Sequence, residues 1–449
     1  MTRHESWLDT LARVMERIVP DAITTAILLM VGLSILSVAL GASVTATMDA
    51  YYRGLWNLLT FTMQMTLILV LSLILGATPA FRRVIIGLSR LPRTRYQVVA
   101  LAVLCGACVA YLNWGLSIAL SPVIATHFAR QAEQRGIEID FLFLLATLAG
   151  VGSIWQFGFS GSAPLLVATP GHFLEKTTGL MPLESTIWSP AAIILVITFT
   201  VAVMCVGCAF MPKHVRPLSA FVKHQETPVV DGPSAALDAG SGVAHWLEHT
   251  PLIMVPLAVM LAGWLYQHFF VKGLSLDINS VNTIVLLLGV ILHGTVSRFT
   301  RALQDAVARA WPIVLLYHLY AGVAGLIQFT PVGEFLVSIF TPVLTPLTYT
   351  LLTALISTVI ALFIPTSGGQ WLIQGYVTVE TAHIVDVSPQ RGLLALSVGD
   401  HMGNLITPFW ALVGASIAGI DFRQYFGYRL VFAALWFAMG VTAFTFLPC

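Results

Sequence analysis

Phe159-Ser-Gly-Ser-Ala-Pro-Leu-Leu-Val-Ala-Thr-Pro-Gly171 is the stretch on which the fold turns. Its neighbours on both sides are apolar enough to cross a bilayer, yet it holds two glycines, two prolines and three hydroxyls, and so cannot sustain an uninterrupted helix. Of the 449 residues, 57% are hydrophobic and 10% are charged, which leaves too little polar surface to cover a soluble globule. Apolar runs of roughly 17–25 residues recur along the chain, as a hydrocarbon core requires, and strand-like alternation is absent. The composition therefore reads as an all-α polytopic membrane protein. A net charge of +1 gives no sign of a nucleic-acid partner.

Working outward, uninterrupted spans are expected at about 23–41, 56–77, 190–211, 251–271, 277–294, 311–329 and 428–447. Two further regions free of Asp, Glu, Lys and Arg are cut by polar tips. Asn113-Trp-Gly115 divides residues 96–129 into arms too short to cross singly, and Pro365-Thr-Ser-Gly-Gly-Gln370 interrupts the second region. Both read as re-entrant hairpins, at about 96–130 and 347–387. A broken span follows each, at about 141–171 and 391–420, the second opening near Gly403-Asn-Leu-Ile-Thr-Pro408. With the N-terminus cytoplasmic, every Lys and Arg except Arg53, Lys176, Lys272 and Arg391 falls in a cytoplasmic segment, Arg423 and Arg429 among them. The C-terminus then lies outside.

The order span, span, hairpin, broken span, span occurs twice, entered from opposite sides. Residues 1–211 form an N-terminal repeat and 277–449 a C-terminal repeat. Residues 212–276 join them as a cytoplasmic link, marked by Pro228, Gly232, Pro233, Gly240 and Gly242, and a linking span. Two inverted repeats with discontinuous helices are a common construction of secondary transporters. Glu5, Asp9, Glu16 and Asp21 argue against a cleavable leader, while Trp7, Leu8, Leu11, Val14, Met15 and Ile18 recur as an interfacial helix would. The pairs Cys105/Cys108 and Cys205/Cys208 sit in apolar runs without His or carboxylate beside them, so no metal or cofactor is expected.

Non-helical backbone deep in a bilayer survives only where protein or a water-filled cavity satisfies it, so the interruptions mark a site. The polar groups expected to converge on a substrate are Asn113, Trp114 and Gly115; Ser160, Gly161 and Ser162; Thr366, Ser367, Gly368, Gly369 and Gln370; and Asn404 with Thr407. No Lys or Arg lies within 96–129, 141–175 or 335–390, so an anion would be held by helix N-termini and hydroxyls. Trp155, Trp371, Phe409 and Trp410 could wall an acyl chain. Asp400 and His401, ionisable groups at membrane depth, are the candidates for ion coupling, ahead of His318 and Glu380.

The motifs Leu55-Trp-Asn-Leu-Leu59, Asn113-Trp-Gly115, Phe159–Gly171, Pro365-Thr-Ser-Gly-Gly-Gln-Trp-Leu-Ile-Gln-Gly375 and Pro408-Phe-Trp-Ala-Leu412 resemble those of the bacterial short-chain fatty acid transporter family, which includes acetoacetate permeases. The resemblance implies ion-coupled uptake of short monocarboxylates across the inner membrane by a homodimeric carrier with alternating access, the coupling ion being a proton or sodium. Other readings compete with it. Polar tips can line a passive anion channel. Gly158-Phe-Ser-Gly161 fits a rhomboid-like serine protease, with Ser160 as nucleophile and His401 or His318 as base. Gly399-Asp400 resembles part of an intramembrane aspartyl protease motif but lacks a second buried aspartate.

Overall fold

The computed structural model describes residues 22–57, 59–212, 215–221, 242–364 and 366–448, without the side chains of Ala22, Asn57, 309–313 and Phe409. The Trp7–Ile18 helix, Pro228, Gly232, Pro233, Gly240 and Pro365 lie outside these residues. The described chain is all helical. In order, the main helices are α1 (Ala22–Ala39), α2 (Val44–Asn57), α3 (Leu59–Gly76), α4 (Pro79–Ser89), α5 (Arg95–Leu112), α6 (Trp114–Gln134), α7 (Phe141–Val151), α8 (Ser162–Ala168) and α9 (Pro190–Ala209). There follow α10 (Met254–Tyr266), α11 (Ile278–His293), α12 (Val296–Phe329), α13 (Val332–Phe340), α14 (Tyr349–Ala361), α15 (Ser367–Ile384), α16 (Pro389–Ile406), α17 (Pro408–Ala418) and α18 (Arg423–Phe446).

Short polar side chains start these helices by taking up amide groups that have no partner within the helix. Thr94 accepts from Gln97 at α5, Ser189 from Ala192 at α9 and Ser388 from Arg391 at α16, while Asp277 and Ser280 form a reciprocal capping box at α11. Six helical segments are long and apolar enough to span a membrane, or seven if a pair bent by 77° after Phe329 counts as one. Three features depart from the sequence reading. α5 (Arg95–Leu112), expected as an arm too short to cross singly, is itself one of the six segments long enough to span. α12 runs unbroken for 34 residues from Val296, where a basic loop was expected before residue 311. α2 carries Asp49 and Arg53, and hydropathy alone had passed over it. Its place is fixed by packing: a Cβ on Gly54 would stand 2.5 Å from the Ala321 carbonyl of α12, so only glycine permits that crossing.

The most enclosed helices are those that break. Of the hydrophobic window in residues 141–168, 89% is buried, against 11% for the helix through residues 251–271, which faces outward. α7 packs on α5, α6 and α18; α16 packs on α14, α15 and α18. On α16, Gly399 and Gly403 are spaced as a small-xxx-small pair, and a Cβ at Gly399 would lie 2.0 Å from the Ala354 carbonyl of α14. Asp140, fully buried, caps α7 through Phe143 N at 2.9 Å and pairs with Arg216 at 3.0 Å, whose guanidinium also reaches the Tyr428 hydroxyl at 2.9 Å. The link is thereby tied to both the first broken element and α18.

Candidate functional site

Four places where the chain leaves helical geometry meet in the buried core. Between α5 and α6 only Asn113 is extended, with φ −163° and ψ 132°. Its Oδ1 accepts from Gly115 N at 2.7 Å and Leu116 N at 3.2 Å, while Trp114 N donates to Ser160 Oγ at 2.8 Å. The first amides of α6, which could have met an anion, are thus taken by protein groups. After α7 the chain tightens into a 3₁₀ turn at Gly152–Phe157 and opens at residues 158–161. There Phe159 N donates to the Tyr111 carbonyl at 2.8 Å, and a Cβ on Gly158 would come within 2.3 Å of that oxygen. Tips one and two are therefore locked together.

The other two openings lie in the second half. Thr366 caps α15, its Oγ1 accepting from Gly369 N at 3.1 Å. Between α16 and α17, Thr407 is extended and Pro408 follows.

At the interruptions themselves, Gln156 bridges the two halves. The Gln156 carboxamide donates through Nε2 to Asp400 Oδ2, and its Oε1 accepts from Ser367 Oγ at 3.1 Å. Asn404 Nδ2 donates to the same Asp400 oxygen at 3.2 Å, and Trp410 Nε1 donates to Asn404 Oδ1 at 3.2 Å. Gln156 and Asp400 are both fully buried. A carboxylate there is tolerable because two amide groups solvate it, one from each half of the chain. Its Oδ1 has no partner among the described residues.

His401 stands beside this chain, edge-on to Trp155 at 5.7 Å and Trp436 at 5.8 Å, with neither ring nitrogen hydrogen-bonded among the described residues. Trp155 in turn lies against Trp114 at 6.2 Å. These rings make one apolar wall. Ser162 and Thr407 are buried at the second and fourth openings. Gly115 faces Ser72, Gly161 faces the Gln156 carbonyl, and Gly368 faces the Tyr317 hydroxyl, all close enough that a Cβ would collide. Gln370 turns away to Ser357 and Gln374, donating at 2.8 Å to Ser357 O and at 3.0 Å to Gln374 Oε1. His318 is outside the cluster, its Nδ1 paired with the Val314 carbonyl.

Sequence reasoning missed Gln156, Ser357, Gln374 and, most consequentially, Arg429. The expectation that basic residues stay away from the interruptions needs correction. Arg429 of α18, assigned by charge counting to a cytoplasmic segment, is 3% exposed and donates through NH2 to the Asn404 carbonyl at 3.1 Å. The local reason is readable. That carbonyl would accept from residue 408 in a continuous helix, but Pro408 has no N–H. Arg429 replaces the missing donor at the carbonyl end of α16, where a cation is favoured.

A polytopic helical membrane protein whose interrupted helices meet at a shared polar cluster has the organisation of a transporter, and comparison with known proteins agrees. The chain belongs to the short-chain fatty acid transporter family, whose model matches residues 5–447, and members of that family are transporters, not enzymes. A relative from Haemophilus influenzae is 29% identical over 400 residues, 87% of this chain and 88% of its own. One from Escherichia coli K12 is 28% identical over 439 residues, covering 97% and 98%. Both are provisionally named short-chain fatty acid transporters. The fold is similar to that of the Alcanivorax borkumensis YdaH transporter, described as having an unusual topology, with a TM-score of 0.54 and 15% identity over 96% of this chain and 98% of that one. The serine-protease alternative falls with the family. Ser160 Oγ is engaged by a main-chain amide, and no hydrogen bond to His401 or His318 occurs at it among the described residues.

Proposed function

We propose that the protein is a secondary active carrier of short-chain monocarboxylates, including acetoacetate, coupled to an ion gradient and working by alternating access in the bacterial inner membrane. One observation carries the reading: the buried chain Ser367–Gln156–Asp400–Asn404–Trp410 links interruptions from both halves of the sequence. A polar cluster at that depth is costly unless it serves a ligand or an ion. In this reading α5–α6 and α14–α15 are re-entrant hairpins of two inverted repeats, with the N-terminus cytoplasmic and the C-terminus outside. The assembly is a homodimer, as the resemblance implies.

The substrate then meets the tips at Asn113, Trp114, Gly115, Ser160, Gly161, Ser162, Thr366, Ser367, Gly368, Gly369, Gln370, Asn404 and Thr407, with its acyl chain against Trp155 and Trp410. The coupling cation, a proton or sodium, acts at Asp400, with His401 beside it. Uptake of labelled butyrate and acetoacetate into proteoliposomes, with proton and sodium gradients imposed one at a time, tests this. Accumulation above the external concentration under one of the two gradients is expected. Equilibration alone would make the protein a passive anion channel and overturn the coupled mechanism.

A further inference from the structure

The environment of Arg429 points to a specific role in that carrier. Its guanidinium is buried, and only NH2 has a hydrogen-bond partner; Nε and NH1 have none among the described residues. No ion pair to it occurs among those residues either. The Tyr425 ring is 5.8 Å from the guanidinium carbon, and its hydroxyl, which donates to the Ala411 carbonyl at 2.7 Å, keeps lone pairs open to the guanidinium but is neutral and supplies no counter-charge. A buried guanidinium with unsatisfied donors and no counter-charge is unstable unless an anion joins it. Its planar set of N–H donors matches a carboxylate.

The competing anion sites are largely occupied. The amides of Trp114, Gly115 and Leu116 at the start of α6 and that of Gly369 at α15 are capped by Ser160, Asn113 and Thr366. Arg429 is not. Asn404 also places it in register with Asp400, holding the acid through its side-chain amide and the guanidinium through its carbonyl. We propose that Arg429 binds the carboxylate of the transported acid end-on, through the parallel N–H groups of NH1 and NH2, NH2 keeping a second hydrogen beyond the one given to Asn404. This rests on the short-chain acid reading above.

The test is tryptophan fluorescence of the purified full-length carrier, titrated with butyrate and with its neutral isostere butyramide. Wild type should prefer butyrate by about 10- to 100-fold, the worth of charge-assisted hydrogen bonds. In Arg429→Gln that preference should fall to within about twofold, through loss of butyrate binding while butyramide binding persists. Arg429→Lys keeps a cation for folding but loses the planar fork, and should weaken butyrate by about tenfold. A butyrate preference left intact in either variant overturns the role of Arg429 alone. A wild type that responds to neither ligand overturns the short-chain acid reading and this inference together.

Discussion

Gln156 is the hinge of the polar chain, and a double-mutant cycle with Ser367 measures whether it acts as drawn. Gln156→Leu removes two bonds: the amide donation to Asp400, which is charge-assisted, and the acceptance at 3.1 Å from Ser367 Oγ. The first is worth about 1.5–3 kcal/mol and the second about 0.5–1.5 kcal/mol, so the variant should lose about 2–4.5 kcal/mol. Ser367→Ala removes only the second and should lose about 0.5–1.5 kcal/mol. Because that bond no longer exists in the Gln156→Leu background, the double variant should be scarcely less stable than Gln156→Leu, giving a coupling of about 0.5–1.5 kcal/mol. Equilibrium unfolding in mixed dodecylmaltoside–SDS micelles, followed by tryptophan fluorescence, reads all four corners. A coupling below about 0.3 kcal/mol would mean the two side chains do not meet, and the bridge between the halves would have to be abandoned.

Two further outcomes test the packing beneath the site. Gly403→Val places a branched side chain where even a Cβ would lie 2.4 Å from the Ala361 methyl group, so folding should weaken by about 1–3 kcal/mol, whereas Gly32→Ala, with nothing within 4 Å, should be neutral or slightly stabilising in the same micelle assay. Asp140→Asn keeps the helix cap but removes the charge facing Arg216, whose side chain is 40% exposed, so screening limits the loss to about 1–2 kcal/mol, and added salt should narrow the gap between wild type and variant.

What the sequence revealed and what it hid separate along a physical line. Breaks were legible wherever a residue forbids helix by its own chemistry: Asn113 prefers to cap, Gly158 tolerates the approach of a carbonyl, and Pro408 lacks a donor. The capping roles of Ser160 and Thr366 were not legible as such, because a hydroxyl near a break reads equally as ligand and as cap. Gln156 was missed for a different reason. Its partner Asp400 lies 244 positions away, and no local pattern pairs one glutamine in an apolar run with one distant acid.

Arg429 exposes the limit of charge counting. The positive-inside rule treats an arginine seven residues into a helix as an interfacial anchor, since it weighs composition and not packing. The information needed to place it was nonetheless partly present. A proline that opens a buried helix leaves the carbonyl four residues before it without a helical donor, and a buried carbonyl must find one elsewhere. For Pro408 that carbonyl is Asn404, so the sequence announces that some donor must reach this point from another helix. Only packing reveals that the donor is a guanidinium from α18 and that it arrives with N–H donors on Nε and NH1 that the carbonyl does not use. The proline that interrupts α16 is therefore also what draws a positive charge to the interruption.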